Sequence, residues 1–309
     1  MEREYTATVV QSTGSWYRLR SDSGEWVEAR IRGKLRLRGS RSTSPVVVGD
    51  RVDYRFDARG EAVITDIRPR RNYIIRRSPN LSKESHIIAA NIDQAFLVVS
   101  LFSPSTSYEF IDRFLVTCEA YRIPATILLN KIDLARTRPQ ELGEFLETYS
   151  LAGYRVLTLS AADGEGVEGL RELLAGRTTL LSGNSGVGKS TLVAALEPGA
   201  DVRTGAVSEF HHKGKHTTTF SQMYPLSDGG FLIDTPGIKG FGLLDIGADE
   251  LARYFPDLMR FAPGCQFYNC THVHEPGCAV QQAVREGRIA FRRYESYLKM
   301  LDEDEKYRK

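Results

Sequence analysis

The sequence predicts a multidomain chain in three parts: an N-terminal β-barrel, a central α/β region and a C-terminal α-helical region. Three observations carry this. Short strand-like runs separated by turn residues fill the first 72 of the 309 residues. From residue 73 to residue 245, strand and helix patterns alternate, and a glycine-rich turn joins one strand to one helix. Beyond residue 246 the pattern is helical, and three of the four cysteines fall between 265 and 278. At ~100–200 residues per domain the length suits two or three domains.

In the first part the runs are YTATVVQ, WYRLR, EWVEARI, VVVGDRVDYRF and AVITDIRP. Strands this short, punctuated by Gly, Asp and Ser, predict a small barrel of the OB type over residues 1–72. The segment RIRGKLRLRGSRS would give it a basic strand and loop on the rim. Residues 1–77 hold 17 Lys+Arg against 10 Asp+Glu, and the rest of the chain 24 against 29. Nearly all the basic excess is arginine, which forks onto phosphate and stacks on bases, so RNA is an expected partner. Residues 73–90 read as a linker.

The alternation that follows predicts a mostly parallel sheet with helices on both faces, spanning 73–245. TTLLSGNSGVGKSTLVAAL gives an apolar strand, a glycine turn and a helix start. Its loop runs Gly183, Asn184, Ser185, Gly186, Val187, Gly188, Lys189, Ser190, with Thr191 behind it, and matches G-x-x-x-x-G-K-[ST]. Backbone N–H groups there curl around a phosphate, and the helix N-terminus adds partial positive charge. Lys189 would reach the β- and γ-phosphates, and the Ser190 hydroxyl would ligate Mg²⁺. DTPG ends the apolar run GGFLI. Asp234 would hold the same Mg²⁺, and the Gly237 N–H would face the γ-phosphate.

LLNKIDL supplies Asn130, Lys131 and Asp133 just past the strand PATILLN. A carboxylate at Asp133 can accept the N1–H and the exocyclic amino group of guanine, and adenine has neither donor on that edge. Lys131 would lie along the base, and Asn130 would tie loops together. SAADGEG also follows a strand; Ser160 and Ala161 would close over the guanine O6 through a backbone N–H. The base motif therefore precedes the phosphate loop by about fifty residues, the reverse of the usual order. Every piece sits at the C-terminal end of a strand, where open α/β sheets bind ligands. A circular permutation keeps those places while changing chain order, which reconciles both motifs in one P-loop GTPase domain. HHKGKHTTTF lies between phosphate loop and Mg²⁺ aspartate, where a switch belongs. Thr217 and Thr218 are its candidate Mg²⁺ ligands, with Thr218 assigned to the ion. Ile238 stands where Ras-like enzymes carry the glutamine that orients water.

In the last part, over 246–309, GCQFYNCTHVHEPGC offers Cys265, Cys270, His272 and Cys278, with His274 as a rival. Three thiolates and one imidazole suit a closed structural Zn²⁺ site. Cys118 stands apart and reads as a small buried residue. No apolar run approaches the ~20 residues that cross a bilayer, and MEREYTATVV has no secretory core. The expected setting is cytoplasmic, as a monomer, with no membrane contact.

LLNKIDL, GNSGVGKSTL, GKHTTT, LIDTPGIKGF and the pattern CxFxxCTHxxEPGCAV, together with the basic barrel, span nearly the whole chain. In these the chain resembles the circularly permuted small-ribosomal-subunit biogenesis GTPases of the RsgA/YjeQ type. The resemblance implies GTP hydrolysis stimulated by the small ribosomal subunit, binding to its rRNA, and a role in its late maturation. It also implies that His216 in GKHTTT orients the attacking water and that His272, rather than His274, is the zinc ligand. Two other classes compete with this reading: an RNA-binding assembly scaffold for which GTP is a non-catalytic switch ligand, and an ATP-driven RNA-remodelling enzyme. Asp133 argues against the second.

Overall fold

Alternating burial in the N-terminal strands closes a barrel. The computed structural model describes residues 3–13, 16–31, 45–77, 85–197, 222–234 and 246–307. Five strands, β1 (Tyr5–Ser12), β2 (Trp16–Ser21), β3 (Trp26–Ile31), β4 (Arg51–Phe56) and β5 (Ala62–Ile67), pair in the cyclic order β1-β2-β3-β5-β4. The β1–β4 ladder, with Ala7 opposite Val52, completes the circle. Inward residues at every second position, among them Ala7, Val9, Tyr17, Leu19, Ala29, Val52, Tyr54 and Ile64, form its core. The barrel has the OB strand order. Most of the basic segment RIRGKLRLRGSRS lies outside the described residues.

The stretch expected to be a linker is instead an antiparallel ribbon, β6 (Tyr73–Arg77) with β7 (Ser85–Ala90). Apolar residues at its described positions explain why: Ile74, Ala89 and Ala90 are fully buried. Gly49 has φ +86, and a Cβ there would stand 2.0 Å from the Ala90 carbonyl oxygen, so only glycine lets ribbon and barrel meet. Asn91 Nδ2 donates to the Gly49 carbonyl at 2.9 Å, and Arg70 forks onto the buried Asp50 carboxylate at 2.7 and 2.8 Å.

The chain divides into two compact units. The first comprises Met1–Gln94, Leu170–Ser182 and Glu197–Pro236. Besides barrel and ribbon it holds three strands: β11 (Thr178–Ser182), parallel to β13 (Phe231–Asp234), and β12 (Gln222–Pro225), antiparallel to β13. The second comprises Ala95–Gly169, Gly183–Leu196 and Gly237–Lys309. Its parallel strands are β8 (Gln94–Val99), β9 (Ala125–Leu129) and β10 (Arg155–Thr158), ordered β8-β9-β10. The connecting helices are α1 (Tyr108–Ala120), the short α2 (Ile132–Ala135) and α3 (Pro139–Leu151); α4 (Val167–Leu174) starts in this unit, and its residues from Leu170 on belong to the first. Ser107 caps α1 by accepting the Phe110 N–H, and Pro139 opens α3 where no N–H is needed. The parallel strands read as apolar runs because both faces are covered; all of β8 is buried.

The C-terminal helices belong to this second unit. The helical run ADELARYFPDLMRF is divided into α6 (Ala248–Leu251), a 3-10 turn and α7 (Pro256–Phe261), because Pro256 cannot continue the preceding helix. Gly287, at φ +70, separates α8 (Ala279–Arg285) from α9 (Phe291–Tyr307). Arg293 of α9 is fully buried between two carboxylates. It donates to Asp112 of α1 at 2.6 Å and forks onto Asp257 of α7 at 3.0 and 3.1 Å. Its guanidinium also lies 4.6 Å from the ring centre of Phe255. Burial pushes the Asp112 carboxyl up, opposed by the Arg293 charge beside it.

Removing Arg293 would strand two buried carboxylates. Arg293→Ala is expected to destabilise the fold by about 3–5 kcal/mol. A fall in denaturant midpoint worth less than about 1 kcal/mol would show that this ion cluster is not what holds α9 to α1.

Candidate guanine-nucleotide site and metal centre

Strand ends position the site, and every residue of the cavity belongs to the second unit. Asn130 follows β9 and its N–H donates to the Val99 carbonyl at the end of β8, at 2.9 Å. Its buried side chain then spans two loops. Nδ2 donates to the Val187 carbonyl of the phosphate loop at 2.8 Å, and Oδ1 accepts the Ala161 N–H at 2.9 Å. One carboxamide thus uses a donor and an acceptor to hold the base-side loop against the phosphate-side loop.

The phosphate loop depends on glycine at its contact points. A Cβ at Gly183 would fall 2.3 Å from the Val98 carbonyl oxygen, and one at Gly188 2.3 Å from Asn130 Nδ2. Both have positive φ, +149 and +99. Lys189 and Ser190 open α5 (Lys189–Leu196), so the backbone N–H groups of its first turn face the loop. Lys189 Nζ donates to the carbonyls of Gly183 and Asn184 at 2.6 and 2.9 Å, which keeps the loop curled. Asn184 is half-buried, Ser185 and Thr191 are exposed, and Val187 is fully buried as the loop's apolar anchor.

Lys131 adopts the left-handed conformation, φ +62. This turns its side chain back over the phosphate loop, where Nζ donates to the Gly186 carbonyl at 2.9 Å and also to the Ser103 carbonyl. Asp133, the second residue of α2, is exposed. The base-closing loop is braced from within: Ser160 Oγ bonds Asp163 at 2.7 Å, and the Ser160 N–H donates to the Glu165 carbonyl at 3.0 Å. Between these elements lies a cavity of about 210 Å³, lined by Asn130, Lys131, Asp133, Leu134, Ser160, Ala161, Ala162, Gly188 and Thr191.

The structure adds two features to the sequence reading. The Ala161 N–H is engaged by Asn130, and Ala162, which the sequence reading did not name, lines the same cavity. The loop after β8 also belongs to the site: Ser103 accepts from Lys131, and a Cβ on Gly186 would stand 3.1 Å from Pro104 Cδ. SLFSPSTS follows a strand, so the strand-end rule that located the other loops applies to it as well. Asp234 is the last residue of β13. His216, Thr217, Thr218 and Gly237 lie outside the described residues.

Further along the chain, Cys265, Cys270, His272 and Cys278 gather with all four ligand atoms within 4.8 Å of one another. A tetrahedral ion with Zn–S of about 2.3 Å and Zn–N of about 2.05 Å sets S···S edges near 3.8 Å and S···N edges near 3.6 Å. The Cys265–Cys278 sulfurs are 3.9 Å apart, and His272 Nδ1 lies 3.6 and 3.5 Å from them. The donor set therefore fits a closed tetrahedral divalent ion. His274 is exposed and is not in the cluster.

The surroundings hold the ligands in place. Tyr294 donates to the His272 carbonyl at 2.6 Å and Tyr297 to the Thr271 carbonyl at 2.7 Å. The Glu275 carboxylate accepts the N–H groups of Thr271, Val273 and His274 at 2.8, 3.1 and 3.2 Å. Against the opposing effect of burial, its hydrogen bonds from Thr271 and its neighbours bring its pKa down to about 2. Burial lowers the His272 pKa, which favours the neutral imidazole that a metal needs, and pushes the Cys270 thiol up to about 12. A bound divalent cation would reverse that last shift by stabilising the thiolate.

A methyl at position 188 would collide with Asn130. Gly188→Ala is expected to weaken GDP binding at least ten-fold with little change in melting temperature, measured with a fluorescent GDP analogue. Unaltered affinity would mean that the loop relaxes without cost.

Comparison with known proteins agrees with this geometry. Residues 67–244 match the family model described as RsgA GTPase, and residues 6–64 match the RsgA N-terminal domain. A protein of Bacteroides fragilis called small ribosomal subunit biogenesis GTPase RsgA is 52% identical over 303 residues, covering 97% of this chain and 98% of that one. A protein of the same name from Flavobacterium johnsoniae is 48% identical over 306 residues, covering 98% and 94%. Among solved structures, YjeQ from Thermotoga maritima superposes with a TM-score of 0.79 at 34% identity, covering 98% of this chain and 99% of that one. YloQ, described as a circularly permuted GTPase, superposes at 0.76 with 28% identity, covering 99% and 96%. The chain belongs to the RsgA GTPase family.

Proposed function

We propose that this protein hydrolyses GTP to GDP and phosphate during late maturation of the small ribosomal subunit, bound to that subunit through its rRNA. The observation that carries the proposal is the Asn130 carboxamide, which ties phosphate loop and base loop around one cavity with Asp133 on its wall. The relatives named small ribosomal subunit biogenesis GTPase, matched along nearly their whole length, supply the partner. The working division is 1–72 for the RNA-binding barrel, 73–245 for the permuted GTPase region and 246–309 for the metal-binding helices.

Asp133 selects guanine by accepting from its N1–H and amino group, with Lys131 along the base. Lys189 exchanges its two loop carbonyls for the β- and γ-phosphates, so nucleotide replaces a contact that already holds the loop. By motif, Ser190, Thr218 and Asp234 would hold Mg²⁺, which supplies charge neutralisation at the phosphates when bound. Ile238 offers no hydrogen bond to water, and the resemblance assigns that task to His216. Cys265, Cys270, His272 and Cys278 would hold a structural Zn²⁺; four protein ligands leave no position open for chemistry. Among the described residues no helix is long and apolar enough to cross a membrane. We place the protein in the cytoplasm, as a monomer.

Hydrolysis of GTP and ATP, each with and without purified small ribosomal subunits, tests the function. GTP-selective turnover that rises at least ten-fold with subunits is expected; negligible turnover under all conditions would favour a non-catalytic scaffold. Asp133→Asn should shift preference from guanine toward xanthine nucleotides, and unchanged selectivity would remove Asp133 from base recognition. Purified protein should carry one equivalent of zinc, and chelation should lower its melting temperature. Because bound thiolates and imidazole must be deprotonated, zinc should also be lost progressively as pH falls below neutrality. Full stability after chelation would contradict a structural ion.

A further inference from the structure

Both tryptophans of the chain lie on the outward face of the β2–β3 hairpin. Alternation sends Tyr17, Leu19 and Ala29 into the barrel, so Trp16, Arg18 and Arg20 share the opposite face with Trp26, Glu28 and Arg30. Cross-strand register sets Trp16 opposite Arg30, Arg18 opposite Glu28 and Arg20 opposite Trp26. Trp16 is 46% exposed and Trp26 40%. The guanidinium carbons of Arg18 and Arg20 stand 4.4 and 4.9 Å from the centre of the Trp26 ring, and that of Arg30 stands 6.0 Å from Trp16. Arg30 also pairs with Glu61, and Arg18 lies 3.9 Å from Glu28.

Large rings placed here add nothing to the barrel core. Arg18, Arg20 and Arg30 against Glu28 and Glu61 give the surface a positive balance, and the guanidinium groups beside the rings add planar cations on which a base can also stack. We propose that this face is a stacking platform for unpaired bases of RNA. The inference rests on the ribosomal reading and deepens it, by naming both the surface and the form of RNA. The two rings are offset by four residues along the paired strands, about 13 Å at ~3.3 Å per residue. That span corresponds to roughly four bases at about 3.4 Å each, the low end of the ~4–16 nucleotides an OB barrel holds. Duplex RNA keeps its base faces inside the helix and presents phosphates and 2′-hydroxyls. Indole and guanidinium planes suit exposed base faces instead.

Having both tryptophans on one face makes the test direct. Intrinsic emission of the full-length protein would be titrated with an eight-nucleotide single-stranded oligo(A) and with an RNA hairpin of equal phosphate content whose stem is closed by a non-nucleotide linker, so that no base is unpaired. The same preparation would be assayed for stimulation of GTP hydrolysis by small ribosomal subunits. Quenching by oligo(A), with much weaker quenching by the hairpin, is expected. Trp26→Ala, read through Trp16, should weaken oligo(A) binding at least five-fold, and Trp26→Phe should restore most of it. Equal quenching by the hairpin, or unchanged affinity in Trp26→Ala, would overturn the platform. No quenching while subunits still stimulate hydrolysis would overturn the platform alone; loss of both would overturn the ribosomal reading as well.

Discussion

The Asn130 side chain is the interaction on which the nucleotide site depends. Its amide donates to one loop and its carbonyl accepts from another, and both bonds are buried, at 2.8 and 2.9 Å. A buried amide with a missing partner costs about 1–3 kcal/mol, so the two loops hold each other in register through it. The demand propagates outward. Gly188 must lack a side chain to leave Asn130 room, and Gly183 must lack one to let the loop approach β8. Lys131 must take a left-handed backbone so that its ammonium reaches the Gly186 carbonyl.

This arrangement explains how the reversed motif order can be harmless. A carboxamide contact has no direction along the chain, so it joins residues 130, 161 and 187 whichever comes first. What matters is that each loop leaves the C-terminal end of a parallel strand. Permutation also makes the helices after residue 246 follow the DTPG segment directly in the chain. Those helices are anchored by Arg293, whose charge reaches Asp112 on α1, and they carry the Cys265, Cys270, His272 and Cys278 cluster, three of whose edges fit a tetrahedral ion. Their anchor is electrostatic and directional, so α9 is held to α1 in one orientation.

Much of this was legible because its signals are local. The barrel strands alternate, the phosphate loop has its glycines at fixed spacing, and three of the four cysteines lie within fourteen residues. Three features were not legible, each for a physical reason. The β6–β7 ribbon buries Ile74, Ala89 and Ala90, and the last two meet Val48 and Gly49, a long-range pairing that local composition does not signal. The Arg293–Asp112–Asp257 cluster joins residues up to 181 positions apart, and charged residues in helices ordinarily read as solvated. The engagement of the Ala161 N–H by Asn130 depends on loop geometry, which a motif gives as residue identity alone.

The most direct measurement of the central claim compares wild-type protein and Asn130→Ala for binding of fluorescent GDP and ADP analogues, with melting temperature as a control. Loss of two buried hydrogen bonds, together about 2 kcal/mol, predicts a melting temperature lowered by about 4–8 °C and, in protein still folded at the assay temperature, GDP binding weakened by up to roughly thirty-fold. The account also predicts that wild-type protein strongly prefers GDP to ADP. Equal affinity of both proteins for GDP would contradict it, since the two loops would then hold the nucleotide without the residue that joins them.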